Sequence, residues 1–340
     1  MNLMAAVDAS VKVAGLQDLT LHRSVSSIPF AGRYRLIDFP LSNIVNSDIN
    51  SVGVFASAPF ASLIDHIGVG KSWDLDRRKE GLFFLPTTHK NGGIATVGSF
   101  HDFEEHIQFF EKSRQTHVVV TSSFVVGQLD YKEMLAHHLA SGEDITEAVG
   151  ATGSLKSYIL SRELILELIR SHRERRILSV EDLVNLKKAP YTYGVYEYKG
   201  YFAIIDSVQQ YFKESIGLLD ENNRRLLFLP QAPIYTKVKD EPPTLYIEGS
   251  HVSMAMIANG STIIGNVKNS IISRAVTVGK NASLEKCIIM QKCTIEEDCE
   301  LAYVIADKDV HIEKGVKLTG TAVQPIVLRK GERVTKEDSQ

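Results

Sequence analysis

Residues 29–54 read PFAGRYRLIDFPLSNIVNSDINSVGV. Arg33, Arg35 and the acid Asp38 stand among apolar residues. Leu41, Ile44, Val45 and Ile49 recur at a helical spacing. Pro40 ahead of them suits a helix start, where a missing N–H costs nothing. Val52–Ala56 then reads as a buried strand. Ser42, Asn43, Asn46 and Ser47 share the helical segment, and such groups cost stability when buried unless they find partners. The stretch reads as a helix followed by a buried strand, with more hydrogen-bonding groups than a surface loop of such apolar content usually carries.

The surrounding chain fits that reading. It has 340 residues, 44% hydrophobic and 23% charged, which is room for two domains. The net charge of −3 gives no electrostatic case for nucleic-acid or membrane binding. No apolar run is long enough to span a bilayer, and Met1–Gly15 lacks a secretory pattern, so a cytoplasmic protein is expected. Upstream, Met1–Val7 reads as the first strand. The turn after it, Asp8 to Gly15, has one glycine, with Val11 and Val13 where a backbone would have to approach a phosphate closely. Downstream, strands are expected at Leu82–Leu85, His117–Thr121, Ser154–Ser161 and Tyr191–Tyr198, with a strand start at Asp144. Helices are expected at Phe100–Arg114, Lys132–Ser141, Arg162–Arg173, Ser179–Ala189 (capped by Ser179) and Val208–Leu219. Pro86–Gly98 is a loop in which Gly92-Gly93 serves either a turn, the more common use, or a binding loop. An abrupt change at 149–153 is either natural or the trace of an omitted loop.

Beyond residue 228 the pattern changes. Pro230, Pro233, Pro242 and Pro243 are four of the ten prolines, which marks 229–245 as a linker. Val278, Ile295 and Ile312 then recur every seventeen residues, as do Leu284, Leu301 and Leu318. Hexad steps with an apolar anchor and a small residue four positions on, such as Ala282 and Cys299, describe a left-handed parallel β-helix over 246–328, with 329–340 as a tail. Cys287, Cys293 and Cys299, six apart, fall on successive faces, so they read as core rather than as metal ligands.

PFAGRYRLIDFPLSN followed by Asn46-Ser47 resembles the signature of the ADP-glucose pyrophosphorylases (glucose-1-phosphate adenylyltransferases). Leu16, Leu19, Thr20, Arg23, Pro29 and Phe30, the run Gly68 to Asp76, Asp130-Tyr131, Gly200 to Ser207 and Ser270 to Arg274 extend the resemblance over nearly the whole chain. It implies an α/β Rossmann-like nucleotidyltransferase domain over 1–228 ahead of the β-helix. The family's catalytic arginine falls on Gly15, its catalytic lysine on Val25, and the two aspartates that hold magnesium on Phe124 and Ile204. The family's nucleotide-contacting glutamine and its Glu-Lys-Pro sugar element have no counterpart here, and Lys156 stands at a glycine of its sugar-side strand. Hence no catalytic residues, no metal site and no cofactor are expected, although the family uses Mg²⁺. Adenylyl transfer needs a phosphate cradle, cations and carboxylate-held metal.

The resemblance also implies a role. His22, Arg23, Arg35 and Lys308 fall at positions where the family contacts phosphate or sugar-phosphate effectors between its domains, a use that suits arginine. The competing reading makes these arginines fold-holding ion pairs, for example Arg35 with Asp38. The expectation is a regulatory subunit, inactive alone, paired with a catalytic sister chain in a hetero-oligomer, a tetramer, serving glycogen synthesis through contacts of the β-helix and the adjacent domain face, with self-association as a further option. Two alternatives are an active sugar-nucleotidyltransferase using Asp206 and Asp130 as a rearranged metal site, and a hexapeptide acyltransferase with His251 or His311 as base.

Overall fold

The computed structural model describes residues 2–77, 80–88 and 96–339. Its first domain holds eleven strands: β1 (Leu3–Asp8), β2 (Pro29–Phe30), β3 (Tyr34–Arg35), β4 (Ser51–Ser57), β5 (Gly81–Thr87), β6 (His117–Ser122), β7 (Val125–Gly127), β8 (Ile145–Gly150), β9 (Gly153–Ser161), β10 (Tyr193–Glu197) and β11 (Phe202–Ile204). Seven form one sheet in the order β10-β8-β9-β6-β1-β4-β5. β1, β4, β5 and β6 run parallel, and β9 runs antiparallel to both β6 and β8.

β1 is buried at every position, as a parallel strand covered on both faces must be. Its side chains alternate: Met4 and Ala6 enter one apolar cluster, and Leu3, Ala5 and Val7 enter the other. The helix expected around Leu41–Ile49 begins earlier, at Asp38, and ends at Asn46, so Pro40 sits in its first turn. Residues 149–153 are a hairpin: β8 runs through to Gly150, which pairs with Gly153 at the head of β9. The expected helix Phe100–Arg114 is two pieces, Phe100–Glu105 and Ile107–Glu111. His106 between them leaves the helical conformation while its Nε2 lies 2.8 Å from the Pro86 carbonyl. Ser179 caps the helix Val180–Leu186 by accepting from the Asp182 N–H. Gly92 and Gly93 lie outside the described residues.

The second domain is a left-handed parallel β-helix. Its three faces are parallel sheets of six, five and five strands. Val278 pairs with Ile295 and Ile295 with Ile312, the seventeen-residue step of the sequence. Corner residues take the left-handed backbone at the same interval: Asn269, Lys286 and Tyr303; Ala275, Lys292 and Asp309; Asn281, Asp298 and Gly315. Glycine, asparagine and aspartate tolerate that conformation best, which explains much of what stands there. The three cysteines line the interior, where burial pushes the Cys287 and Cys293 thiols up to about 12.

The tail assignment needs correction. Arg333–Val334 pairs in register with His311–Ile312, so the helix has a further rung inside residues 329–340. Val334 lies twenty-two residues past Ile312, not seventeen, because the segment at 320–325 bulges out and breaks the period. The two domains are not beads on a linker. Ile288, Met290 and Ile305 of the β-helix belong to the same buried cluster as Phe30, Tyr211 and Phe212 of the first domain.

Candidate functional site: a vacated cleft and a basic seam

The polar side chains of residues 38–47 find partners across the domain. Asn43 Nδ2 donates to the Gly127 carbonyl of β7 at 3.0 Å, and Ser47 Oγ accepts from the Tyr131 N–H at 2.9 Å. Ser42 Oγ accepts from the Tyr235 N–H, and Asn46 Nδ2 donates to the Pro233 carbonyl, which fastens the linker to this helix. Asp38 accepts from the Arg35 N–H at 2.9 Å and lies 2.5 Å from His66 Nε2. The ion pair expected between Arg35 and Asp38 is therefore not the one formed. Asp38 pairs with His66, while the Arg35 guanidinium donates to the carbonyl and hydroxyl of Ser62.

At the C-terminal ends of the strands, three of the four positions where the resemblance places catalytic groups, Gly15, Phe124 and Ile204, lie close together. β7 and β11 pair antiparallel, and the Ile205 N–H donates to the Phe124 carbonyl at 2.9 Å, so the two metal-aspartate positions are neighbours. Phe124, Val25 and Val11 are buried in one apolar cluster with Ile205, and Ile204 packs against it. No oxygen is offered where magnesium would need carboxylates, so these residues do not fit the ion. Gly15 is closed off differently. Its carbonyl accepts from the Val208 N–H, and a Cβ placed on it would lie 2.4 Å from the Asp206 carbonyl oxygen.

The rest of the cleft is also altered. Asp8 ends β1, its carboxylate accepting from the Gly98 N–H at 2.7 Å and the Ser10 N–H at 3.0 Å. Ser10 Oγ bridges it to Asp102. Burial pushes the Asp8 carboxyl up to about 6. Two acids are thus buried side by side at the end of β1, linked through Ser10. Lys156 adopts a left-handed backbone and pairs with Glu181, whose other oxygen accepts from the Val97 N–H at 2.7 Å. A cavity of about 530 Å³ survives between Val11, Val13, Val25 and Ser57.

The alternatives fare poorly in this geometry. β11 ends at Ile204, so Asp206 does not share a strand face with it as the sequence suggested, and its side chain is exposed. Asp130 caps the helix Tyr131–Ser141, accepting from the Lys132 N–H at 2.8 Å. Among the described residues no three His, Cys, Asp or Glu side chains gather as a metal site. His251 is exposed on the first coil, and His311 lies 2.8 Å from Glu296.

Three of the four expected effector positions do meet, at the seam between the domains. Arg23 reaches both oxygens of Asp307 on the β-helix, at 2.6 and 2.8 Å, with both side chains buried. Lys308 is next in sequence and is pushed down to about 7 by burial and by the nearby charges of Arg35 and Arg23. Burial, together with Arg23 and Arg274, also draws Arg35 down to about 10. His22 is exposed beside this group. Asp307, Asp102, Glu181 and Lys239 were not singled out from the sequence, and Arg274 stood there only as the end of the Ser270–Arg274 motif. Asp307 stood next to Lys308, but nothing local to it signals a partner 284 residues away.

Comparison with known proteins agrees with both halves of this description. A nucleotidyl transferase model matches residues 14–157, and a GlmU-like C-terminal hexapeptide model matches residues 244–324. The glycogen biosynthesis protein GlgD of Bacillus subtilis (strain 168) is 46% identical over 97% of this chain and 96% of its own length. The chain belongs to the GlgD family. The GlgD of Geobacillus stearothermophilus is 45% identical over 97% of the chain and 96% of its own length. The glucose-1-phosphate adenylyltransferase of that organism is more distant, 27% identical over 78% of the chain and 79% of its own length. Because the GlgD of Bacillus subtilis matches nearly end to end, the short 149–153 hairpin is at home in a GlgD-family chain. Among the described residues no helix is long and apolar enough to cross a membrane.

Proposed function

We propose that this GlgD-family chain is a regulatory, catalytically deficient subunit of a glucose-1-phosphate adenylyltransferase in glycogen biosynthesis. One observation carries the reading: Gly15, Val25, Phe124 and Ile204 occupy the catalytic and metal positions of the resemblance and contribute no charge there. ATP and glucose 1-phosphate become ADP-glucose and pyrophosphate only if developing phosphate charge is stabilised. One such group is typically worth about 3 kcal/mol of barrier, and several are missing together. The chain then acts on a catalytic sister chain in a cytoplasmic hetero-oligomer, a tetramer. The first β-helix coil supports such contact, since Leu245, Tyr246, Val252 and Met254 are exposed on or beside strands at the edges of their sheets.

Effector response is assigned to His22, Arg35 and Lys308, with Arg23 as their anchor to the β-helix. A phosphate beside Lys308 would raise the lysine's depressed pKa and gain a charge-assisted bond. The test is kinetic. The purified chain alone is expected to show no pyrophosphate-dependent ATP formation, and to change the turnover and effector response of a co-purifying catalytic chain. Turnover by the chain alone at rates near those of active relatives would sink the proposal.

A further inference from the structure

At the end of β1 a single hydroxyl stands between two buried carboxyl groups. Ser10 Oγ lies 2.7 Å from Asp8 Oδ1 and 2.8 Å from Asp102 Oδ2, and the two aspartates are 1% and 2% exposed. A hydroxyl has one proton to donate, and an ionised carboxylate has none. With both acids ionised, one of these two contacts sets lone pair against lone pair. Both are hydrogen bonds only when one carboxyl is protonated, so that the hydroxyl donates to one acid and accepts from the other. The remaining donors to Asp8 are neutral backbone groups: the Ser10 N–H at 3.0 Å on the same oxygen, and the Gly98 N–H at 2.7 Å on Oδ2.

Three segments meet here. Asp8 closes β1, Gly98 leads into the helix Phe100–Glu105, and Asp102 stands in the first turn of that helix. The Val97 N–H is held separately by Glu181, whose charge Lys156 meets, so this segment keeps its tie to the helix Val180–Leu186 whatever the state of the aspartates. The other charges lie on the outer side. His101 Nδ1 is 4.0 Å from Asp102 and 3.8 Å from Glu105. Lys12, His172, Arg173 and Arg176 line a cavity of about 710 Å³ that Ser10 and Asp102 also line. Of these, His172 and Arg173 pair with Glu104, while Lys12 and Arg176 are exposed. We propose that Asp8 and Asp102 share one proton through Ser10, and that its release as pH rises unties the helix Phe100–Glu105 from the end of β1 and widens this cavity. Once the proton leaves, the hydroxyl can serve only one of two adjacent buried anions, and their repulsion drives them apart. The rise of Asp8 to about 6, caused by burial and added to by the Asp102 charge, agrees with such sharing. The device would operate whether or not the chain regulates a partner.

The experiment follows the thermal midpoint of the full chain against pH, together with hydrogen exchange over residues 97–105 corrected for its intrinsic pH dependence. Between the unfolded and folded values of Asp8, the folded chain keeps a proton that the unfolded chain has lost. Wild type should therefore lose stability, relative to Asp8→Asn, as pH rises through about 6. Asparagine at this position keeps an acceptor and carries an amide donor, as the protonated acid does. In Asp102→Asn the neighbouring charge is gone and an amide can donate to Ser10, so the step should move down by about one pH unit or more. A lone buried Asp8 would leave the step where it is. Above the step, exchange protection over 97–105 should fall about tenfold or more in wild type and stay unchanged in Asp8→Asn. Should Asp102→Asn not fold, Ser10→Ala should move the step upward, because Asp8 loses its side-chain donor. The proposal is overturned by the absence of a step, by a step that these variants leave in place, or by wild-type protection that does not change across it.

Discussion

Removing Asp307 should test the seam between the domains most sharply. Asp307 and Arg23 are nearly sealed from solvent, with side-chain exposures of 4% and 3%, and one Arg23 nitrogen, Nη2, donates to both carboxylate oxygens at 2.6 and 2.8 Å. Among the described residues, the other side-chain hydrogen bond of Arg23 goes to Met290 Sδ at 3.7 Å, which carries no counter-charge. In Asp307→Ala the guanidinium stays buried without its counter-charge, a loss of about 3–5 kcal/mol. Arg23→Met should cost a similar amount, because Asp307 is then the orphan. The double variant, Arg23→Met with Asp307→Ala, should recover most of the loss. Two charges no longer need solvation there, and the introduced thioether would extend the apolar contact with Met290. Urea unfolding followed by circular dichroism gives the four stabilities of this cycle. A coupling energy below about 1 kcal/mol would refute the reasoning, for that is the range of an exposed pair. The same variants weigh the two roles of Arg23. If phosphate response of the assembled enzyme is lost in Arg23→Met but regained in the double variant, the arginine acts by fixing the domains. If it is not regained although stability is, the guanidinium itself meets the effector.

Other consequences follow from single groups. Gly15→Arg, which restores the residue type implied by the resemblance, should give no activity and should destabilise the fold; even Gly15→Ala should cost about 1–3 kcal/mol in urea unfolding, given a Cβ 2.4 Å from the Asp206 carbonyl. Lys308, pushed down to about 7 in the fold, regains an ordinary value when unfolded. The unfolded chain then binds the extra proton between those values, so this residue's destabilising effect fades as pH rises above 7. Lys308→Met should therefore stabilise the chain at pH 6–7 and much less near pH 10, measured by thermal midpoint in phosphate-free buffer. His138 is held neutral, its pKa drawn down to about 4 by burial and by His117, with Thr146 Oγ1 at 2.8 Å from Nδ1. Its contribution is present at neutral pH and is lost as pH falls through 6.5 toward 4. The stability of His138→Gln should depend less on pH across that window.

What the sequence disclosed divides along physical lines. Periodic signals read well. Apolar runs gave β1, β4 and β6, and the seventeen-residue step gave the β-helix from Val278 to Ile312. The signal failed where the period broke, at the bulge before Arg333–Val334. It also failed where a tertiary contact overrode a local one. Arg35 and Asp38 are near neighbours of opposite charge, yet His66 takes the carboxylate, because the Arg35 side chain bends to Ser62 instead. At the site, the residues that were lost were legible one by one, since each stood between matching neighbours. Their convergence was not, because it depends on β7 pairing with β11 across about eighty residues. The reason Gly15 is glycine was also hidden: the constraint comes from Asp206 and Ser207, which only the fold brings close.

The polar atoms of the stretch 29–54 work for the fold, whether or not the chain is catalytic. Asn43, Asn46, Ser47 and Asp38 are spent on Gly127, Pro233, Tyr131 and His66, and removing any of them would orphan a partner, at about 1–3 kcal/mol where that partner is buried. The catalytic positions had no such duty. A charged residue in a cleft costs desolvation and repels its neighbours, whereas Val25 and Phe124 add apolar burial worth about 1.5–3 kcal/mol each. On the proposed reading, exchanging one set for the other would strengthen the first domain at the expense of turnover. The cations that remain, Arg33, Arg35, Lys308 and Arg274, sit instead along the boundary with the β-helix, together with Lys239. Three of these are pushed toward losing their charge, Lys308 down to about 7. Stability alone would not favour that arrangement, and a bound anion would relieve it. On the reading proposed above, the seam between domains is where this chain would respond to a ligand.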